Sequence, residues 1–323
     1  MEFLPAGIDV SKLWFDVVVL VAGKPYHSRF DNDGNGFEAF GTWLKSFPQP
    51  ARICLEATGV YHRELVSWLW EAGIEVQVLN AYRAKQLSKG MGFQGKDDRT
   101  DAQALAQIAG LGGFKRSEPV RNEQMEALRE VSRRIQQLKF EIGKQRTRLK
   151  EPHLSSLTVE SLRRHVQFLL GEVDRLEREW LQALKLVSTA YGRYQLALSV
   201  PQIGPICARV LVCELPDEIG SIDKGIGLAG LAPKPNRSGS SLNGRDRLPF
   251  HCNKRIKAVL YMPAVQALYR SPELRDFYMR LVGNGKAPKV ALTAIMRKLL
   301  RRTLEVIVRG TPWEHRHKGL DNP

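Results

Sequence analysis

Gly7-Ile8-Asp9-Val10-Ser11-Lys12, running on through Phe15-Asp16-Val17-Val18-Val19-Leu20-Val21, is an apolar stretch with acids set into it. β-Branched and aromatic runs of this length read as strands. Arg52-Ile53-Cys54-Leu55-Glu56-Ala57-Thr58-Gly59 repeats the arrangement, ending on an acid just before a glycine. A carboxylate in or just after a buried run is costly without a counter-ion. Around these two segments the chain alternates. Strands are expected at 4–10, 14–22, about 26–30, 52–56 and 74–79, and helices at 36–46, 60–72, 82–88 and 98–110. That alternation predicts an α/β sheet with helices on its faces. Asp31-Asn32-Asp33-Gly34-Asn35-Gly36 is turn chemistry. As a calcium loop it fails, because Thr42 stands where an EF-hand loop carries its last acid.

A third acidic stretch, Lys96-Asp97-Asp98-Arg99-Thr100-Asp101-Ala102-Gln103-Ala104-Leu105, opens a helix, since Leu105, Ile108 and Ala109 follow an acidic, polar start. Asp98 and Asp101 are three apart and project from one face; Asp97 and Asp101, four apart, also share one. The plain reading is a solvated first turn that complements the helix dipole. Set beside Asp9 and Glu56, however, the pair completes an oxygen-rich site suited to two hard cations. Such sites activate a nucleophile and steady a leaving group at phosphorus.

The 323 residues allow two domains and more than one core. A formal charge of +15 and a pI of about 9.8 point to a polyanionic partner. The excess is concentrated: residues 231–323 hold 19 Lys/Arg against 6 Asp/Glu, which favours nucleic acid over mere solubility. Cys54, Cys207, Cys213 and Cys252 lack both Cys-x-x-Cys spacing and the density of a disulfide scaffold. They are expected to be reduced intracellular thiols with no structural zinc. No basic-then-apolar leader and no span of about 18 apolar residues is present, so a cytoplasmic protein is expected.

Between residues 122 and 186 the period changes. Leu128, Val131, Ile135, Leu138, Ile142, Gln145 and Leu149 follow coiled-coil core spacing, and after Pro152 it resumes with Leu162, Val166, Leu169, Val173, Leu176 and Trp180. Two helices of roughly 25–30 residues, about 40 Å long, folded back as an antiparallel hairpin are expected. The hairpin is either a dimerisation arm or an internal support, with Gln145 placed to fix register. Beyond it, Leu198–Pro205 reads as a turn before a helix at 206–212, a place where backbone N–H groups can meet a phosphate. A helix from about 253 carries Lys254, Arg255 and Lys257, with Ile256, Leu260 and Met262 as its apolar face. A last helix, 286–308, brings Arg297, Lys298, Arg301 and Arg302.

Residues 236–245, Asn-Arg-Ser-Gly-Ser-Ser-Leu-Asn-Gly-Arg, have ordinary flexible-loop composition. Arg237, Arg245 and Arg247 flank the serines and are able to bind a phosphodiester and stabilise its transition state. A serine hydroxyl attacks phosphorus only when its proton is removed or offset, and His251 is the nearest local base.

Gly-Ile-Asp-Val-Ser-Lys at 7–12, Glu-Ala-Thr-Gly-Val-Tyr at 56–61 and Lys-Asp-Asp-Arg-Thr-Asp-Ala at 96–102 resemble the DEDD transposases of the IS110 insertion-sequence family. Gly-Leu-Ala-Pro at 230–233 followed by Ser-Gly at 238–239 resembles the C-terminal domain of the same family. The likeness implies three parts: a RuvC-like, ribonuclease-H-type domain at 1–118, a coiled-coil hairpin at 119–188 and a basic, mainly helical transposase domain at 189–323. It implies Asp9, Glu56, Asp98 and Asp101 as ligands of Mg²⁺, two ions in all, and Ser238 as nucleophile, with Ser240 and Ser241 as alternatives. It further implies donor and target DNA, a structured guide (bridge) RNA, and a homo-oligomer, dimer or tetramer, in which acidic and serine halves of different protomers meet. The family often has threonine where Asp97 stands, and a Ser-Lys-x-Gly-like stretch where this chain has Pro249-Phe250-His251-Cys252. Two other functions fit the residues: a metal-dependent nuclease resembling Holliday-junction resolvases, and a nucleic-acid scaffold without activity.

Overall fold

The structure, a computed structural model, describes residues 3–57, 59–93, 97–111, 113–117, 123–217, 219–238, 242–249 and 252–314, with the backbone alone between 234 and 247. The chain divides into two compact units, Met1–Asn122 and Glu123–Pro323.

The first unit holds β1 (Leu4–Val10), β2 (Trp14–Val21), β3 (Lys24–Asp31), α1 (Gly34–Lys45), β4 (Ala51–Glu56), α2 (Arg63–Glu71), β5 (Glu75–Leu79), α3 (Ala81–Gly90) and α4 (Asp98–Gly110). The sheet order is β3-β2-β1-β4-β5. β1, β2 and β3 run as an antiparallel meander, and β4 and β5 lie parallel to β1. Alternation along each strand makes two faces. On one, Ile8, Phe15, Val17, Ile53 and Leu55 pack with Phe37 and Phe40 of α1 and Leu65 and Leu69 of α2. On the other, Val18 meets Ala102 and Ala106 of α4, and Cys54 meets Leu105, Ile108 and Ala109. Gly7 lets α4 come down onto β1, since a Cβ there would stand 2.0 Å from the Ala102 carbonyl oxygen and 2.2 Å from the Ala106 nitrogen.

The 31–36 turn does structural work. The Asp33 carboxylate accepts a hydrogen bond from the Gly36 N–H at 2.9 Å and caps α1. Asn32 donates to the carbonyls of Ser11 and Tyr61, tying together the loops that follow β1 and β4.

The second unit begins with α5 (Glu123–Arg148) and α6 (Ser156–Lys185), an antiparallel pair of helices. Leu128, Ile135, Leu138 and Ile142 are buried with Leu169, Val173 and Trp180. Toward the turn, Leu149, Leu162 and Val166 are only half-buried, because two helices alone cover one face of each. Gln145 is buried, yet its side chain donates to Glu141 of its own helix at 2.6 Å, so that bond does not set register across the pair. At the base, the Trp180 indole donates to the Leu128 carbonyl at 3.0 Å.

There the core continues into α7 (Ser188–Ser199), α8 (Pro205–Glu214), α9 (Ile222–Leu228), the ribbon β6 (Lys234–Ser238) and β7 (Leu242–Arg247), α10 (Lys254–Val259), α11 (Tyr261–Arg270), α12 (Pro272–Gly283) and α13 (Pro288–Arg309). Glu214 is a bolt between these pieces. Burial alone would raise its carboxyl, but Arg133 of α5 and the Asn253 amide, at 2.9 and 2.8 Å, hold it below the ordinary range.

Two expectations are corrected. Residues 236–245, expected as a loop, pair as an antiparallel ribbon at both ends. Met262 is 58% exposed while Ile256 and Leu260 are fully buried, because a new helix starts at Tyr261 and resets the inward face to Pro263, Ala264 and Ala267.

Candidate functional site

Strand register builds the acidic site. Asp9 stands directly opposite Asp16 of β2, and Asp16 opposite Arg29 of β3. Across the parallel pair Ile8 aligns with Leu55, the last aligned pair, so the next residues, Asp9 and Glu56, follow side by side. Glu56, Asp9, Asp16 and Arg29 therefore form a row on the face that α4 covers. The first turn of α4 carries Asp98 and Asp101 to that row.

The electrostatics report the convergence. Burial, then repulsion from Asp101, Asp98, Glu56 and Asp16 in that order, pushes the Asp9 carboxyl up to about 6. Glu56 is raised by burial and by Asp101, against a smaller pull from Lys85. Asp101, Asp98 and Glu56 thus all lie near enough for their charges to act on Asp9. Asp97 sits at the N-cap of α4 without a side-chain cap bond, and its charge is not among the largest acting on Asp9. Among the described residues, no three His, Cys, Asp or Glu side chains close into a finished ligand cage. The donor set is nevertheless right for a hard divalent ion: oxygens only, mutually repelling, on packed elements. Cys54 lies on the same face, but burial drives its thiol up to about 12, which suits neither ligand nor nucleophile.

Sequence reasoning passed over Asp16, His27 and Arg29. Asp16 is almost fully buried, with Arg29 Nη2 at 2.8 Å and His27 Nε2 at 2.7 Å. An acid in the middle of Phe15-Asp16-Val17-Val18 was the available signal.

Ser238 closes β6, paired with Leu242; Arg237 pairs with Asn243, and Lys234 with Arg247. Arg245 lies within β7. Ser240, Ser241 and His251 fall outside the described residues, as do Thr58 and Lys96 of the motifs.

The basic residues of the C-terminal helices divide by environment. Lys254 is exposed and Lys257 half-buried on α10, while Arg255 lies 3.8 Å from Glu214. On α13, Arg297 is half-buried, Lys298 caps the Phe277 ring, and Arg301 pairs with Glu305 at 3.5 Å. Arg302 bonds Glu273 and lies over Trp313. The turn at 200–204 takes Gln202 into the left-handed region, φ 70°, and Pro205 starts α8. No described helix is long and apolar enough to cross a membrane.

Residues 6–159 match the model of a DEDD transposase family, and residues 194–279 match that of the IS116/IS110/IS902 transposases. The chain is 26% identical over 319 residues to the pilin gene-inverting protein of Moraxella bovis, covering 96% of this chain and 97% of that one. The counterpart from Moraxella lacunata is similar to the same extent. An uncharacterized 44.8 kDa protein of insertion element IS116 from Streptomyces clavuligerus is 32% identical over 108 residues, 33% of this chain and 27% of that one.

Proposed function

Since the chain belongs to the IS110-type insertion-element transposases, and is a DNA transposase and recombinase, we propose that it breaks and rejoins strands through Ser238 with help from Mg²⁺ held by Asp9, Glu56, Asp98 and Asp101. The single observation that carries the metal half is Asp9, lifted to about 6 first by burial and then by repulsion from Asp101, Asp98, Glu56 and Asp16, a buried negative crowding that a divalent cation relieves. A three-stranded meander continued by parallel strands supports a RuvC-like reading of the first unit. When bound, Mg²⁺ would supply charge stabilisation to a phosphodiester under attack.

The chain's own residues do the rest. Gly7 and the α4 packing hold the two helix acids over the two strand acids. Ser238 Oγ gives up its proton and attacks phosphorus: the O–P bond forms, the bond to the leaving sugar oxygen breaks, and that oxygen takes up a proton, so that the serine loses one proton and the leaving hydroxyl gains one. The phosphoserine link keeps the energy of the broken bond, so a new strand's hydroxyl can displace the serine and rejoin. Arg237, Arg245 and Arg247 neutralise the phosphate, and Lys254, Arg255, Lys257, Arg297 and Arg301 add the nucleic-acid surface. On this reading the 119–188 segment is an arm for homo-oligomers, a structured RNA guides donor and target DNA, and the protein works in the cytoplasm. The Moraxella relatives are named for inverting a pilin gene, and inverting a DNA segment requires strands to be broken and rejoined.

The test is denaturing electrophoresis of the protein with labelled donor DNA, guide RNA and Mg²⁺, then peptide mapping. Wild type is expected to carry DNA on Ser238, and Ser238→Ala to lose both adduct and cleavage. Cleavage by Ser238→Ala with no adduct would favour the resolvase-like nuclease, in which water attacks. An adduct on Ser240 or Ser241 would keep the mechanism and move the residue.

A further inference from the structure

The row of side chains on the sheet does not stop at the carboxylates. Asp16, directly opposite Asp9, would add one more negative charge to a crowded site if nothing answered it. It is answered twice. Arg29 donates through Nε and Nη2 to Asp16 Oδ2 at 3.1 and 2.8 Å, and His27 Nε2 lies 2.7 Å from Oδ1. The Arg29 guanidinium also lies over the Trp14 ring, 5.1 Å from its centroid. An arginine held by a forked bond and an aromatic face has little freedom. From that position its Nη2 reaches a second acid: Asp98 Oδ2, 3.5 Å away. The Asp16 contact is sheltered, since that carboxylate is 2% exposed, whereas Arg29 and Asp98 are each about half exposed (51% and 52%). The two bonds are therefore unequal. One anchors the arginine; the other is open to competition from solvent ions.

We propose that Arg29 is a built-in counter-ion that competes with the divalent cation for Asp98, so that loading the site there exchanges one cation for another. Arg29 is a positioning residue in this scheme: it acts through Asp98. The inference rests on the reading that the four acids hold a divalent ion. It has a consequence opposite to that of a simple brace. A brace, once removed, would loosen Asp98 and weaken metal binding; a competitor, once removed, tightens it.

Calorimetric titration of the full chain with Mn²⁺, without nucleic acid, separates the two. The decisive protein is Arg29→Met combined with Asp16→Asn, which removes the competitor without leaving a bare buried carboxylate. It is expected to bind Mn²⁺ about two- to five-fold more tightly than wild type, the scale of a half-exposed ion pair. Arg29→Lys, which keeps the charge, is expected to stay near wild type. Unchanged or weaker binding by the double variant overturns the proposal and leaves Arg29 a brace. Asp101→Asn is the control for the parent reading: if it binds Mn²⁺ like wild type, or if wild type binds none, the metal site itself is wrong and both fall.

Discussion

The acidic face of the first unit and the serine ribbon of the second are built by opposite means. Every acid sits at or near the end of an element locked by long-range packing: two adjacent strands, and a helix pressed so close to β1 that position 7 has no room for a Cβ. Ser238 ends a ribbon with a register irregularity between Lys234 and Asn236 and, among the described residues, only two strands. A ribbon of that kind is marginal by itself in water. The difference teaches that charge needs rigid placement, because like charges separate unless the fold forbids it, whereas the nucleophile proposed above, Ser238, is a neutral hydroxyl that needs only a local element to carry it.

Breaking the rigid side is expected to have the largest effects. Asp9→Asn, Glu56→Gln, Asp98→Asn and Asp101→Asn should each abolish strand exchange with circular dichroism unchanged, while Asp97→Asn stays active. Full activity in Asp98→Asn beside a dead Asp97→Asn would reassign the ligand. The basic side should show itself next, in salt. Affinity for DNA is expected to fall about 10³-fold between 50 and 200 mM salt, as several phosphate contacts require. Charge reversal at Lys254, Lys257 and Arg301 should flatten that slope in an anisotropy titration.

Smaller effects sharpen the same contrast. Gly7→Ala should destabilise the first unit by about 1–3 kcal/mol or more, because the obstacle is backbone. Gly143→Ala, in open space on α5, should stabilise the second by about 0.5–1 kcal/mol. Thermal melts of each variant read both. The smallest effect is in pH. Asp9 is raised from 3.8 to about 6, so between these values the folded chain holds a proton that the unfolded chain has released. Stability is therefore lost as pH rises through that window, by about 1–2 kcal/mol after allowance for solvent screening. That contribution should disappear in Asp9→Asn and shrink on adding Mg²⁺; a pH dependence of the melting temperature identical in wild type and Asp9→Asn would contradict the raised Asp9.

Much of the first unit was legible because its strands are apolar runs and its acids interrupt them. The expected 98–110 helix coincides with α4, and all five strands fall within two residues of their expected bounds. Asp16 and Arg29 were not read as site residues, because their role comes from the register of β2 against β3, which no local pattern encodes. In the second unit the paired helices announced themselves by heptad spacing. The ribbon did not: Asn236–Arg245 is rich in serine, glycine and asparagine, which favour turns over strands, so pairing overrides propensity there. Gln145 shows the same limit, since spacing placed it inside but could not say that its partner is Glu141 along the helix.

The Glu214 bolt has a mechanical meaning. It joins α5, α8 and the cap of α10, and the Trp180–Leu128 bond clamps α6 to α5 at the same end. α6 is 30 residues long, about 45 Å of stiff rod. Fixed at one end, such a rod is a lever: each degree of rotation at the base sweeps its tip through about 0.8 Å by the same rise per residue. Read in reverse, a load applied at the far turn is delivered, with that leverage, to Asn253 and the lysines that follow it.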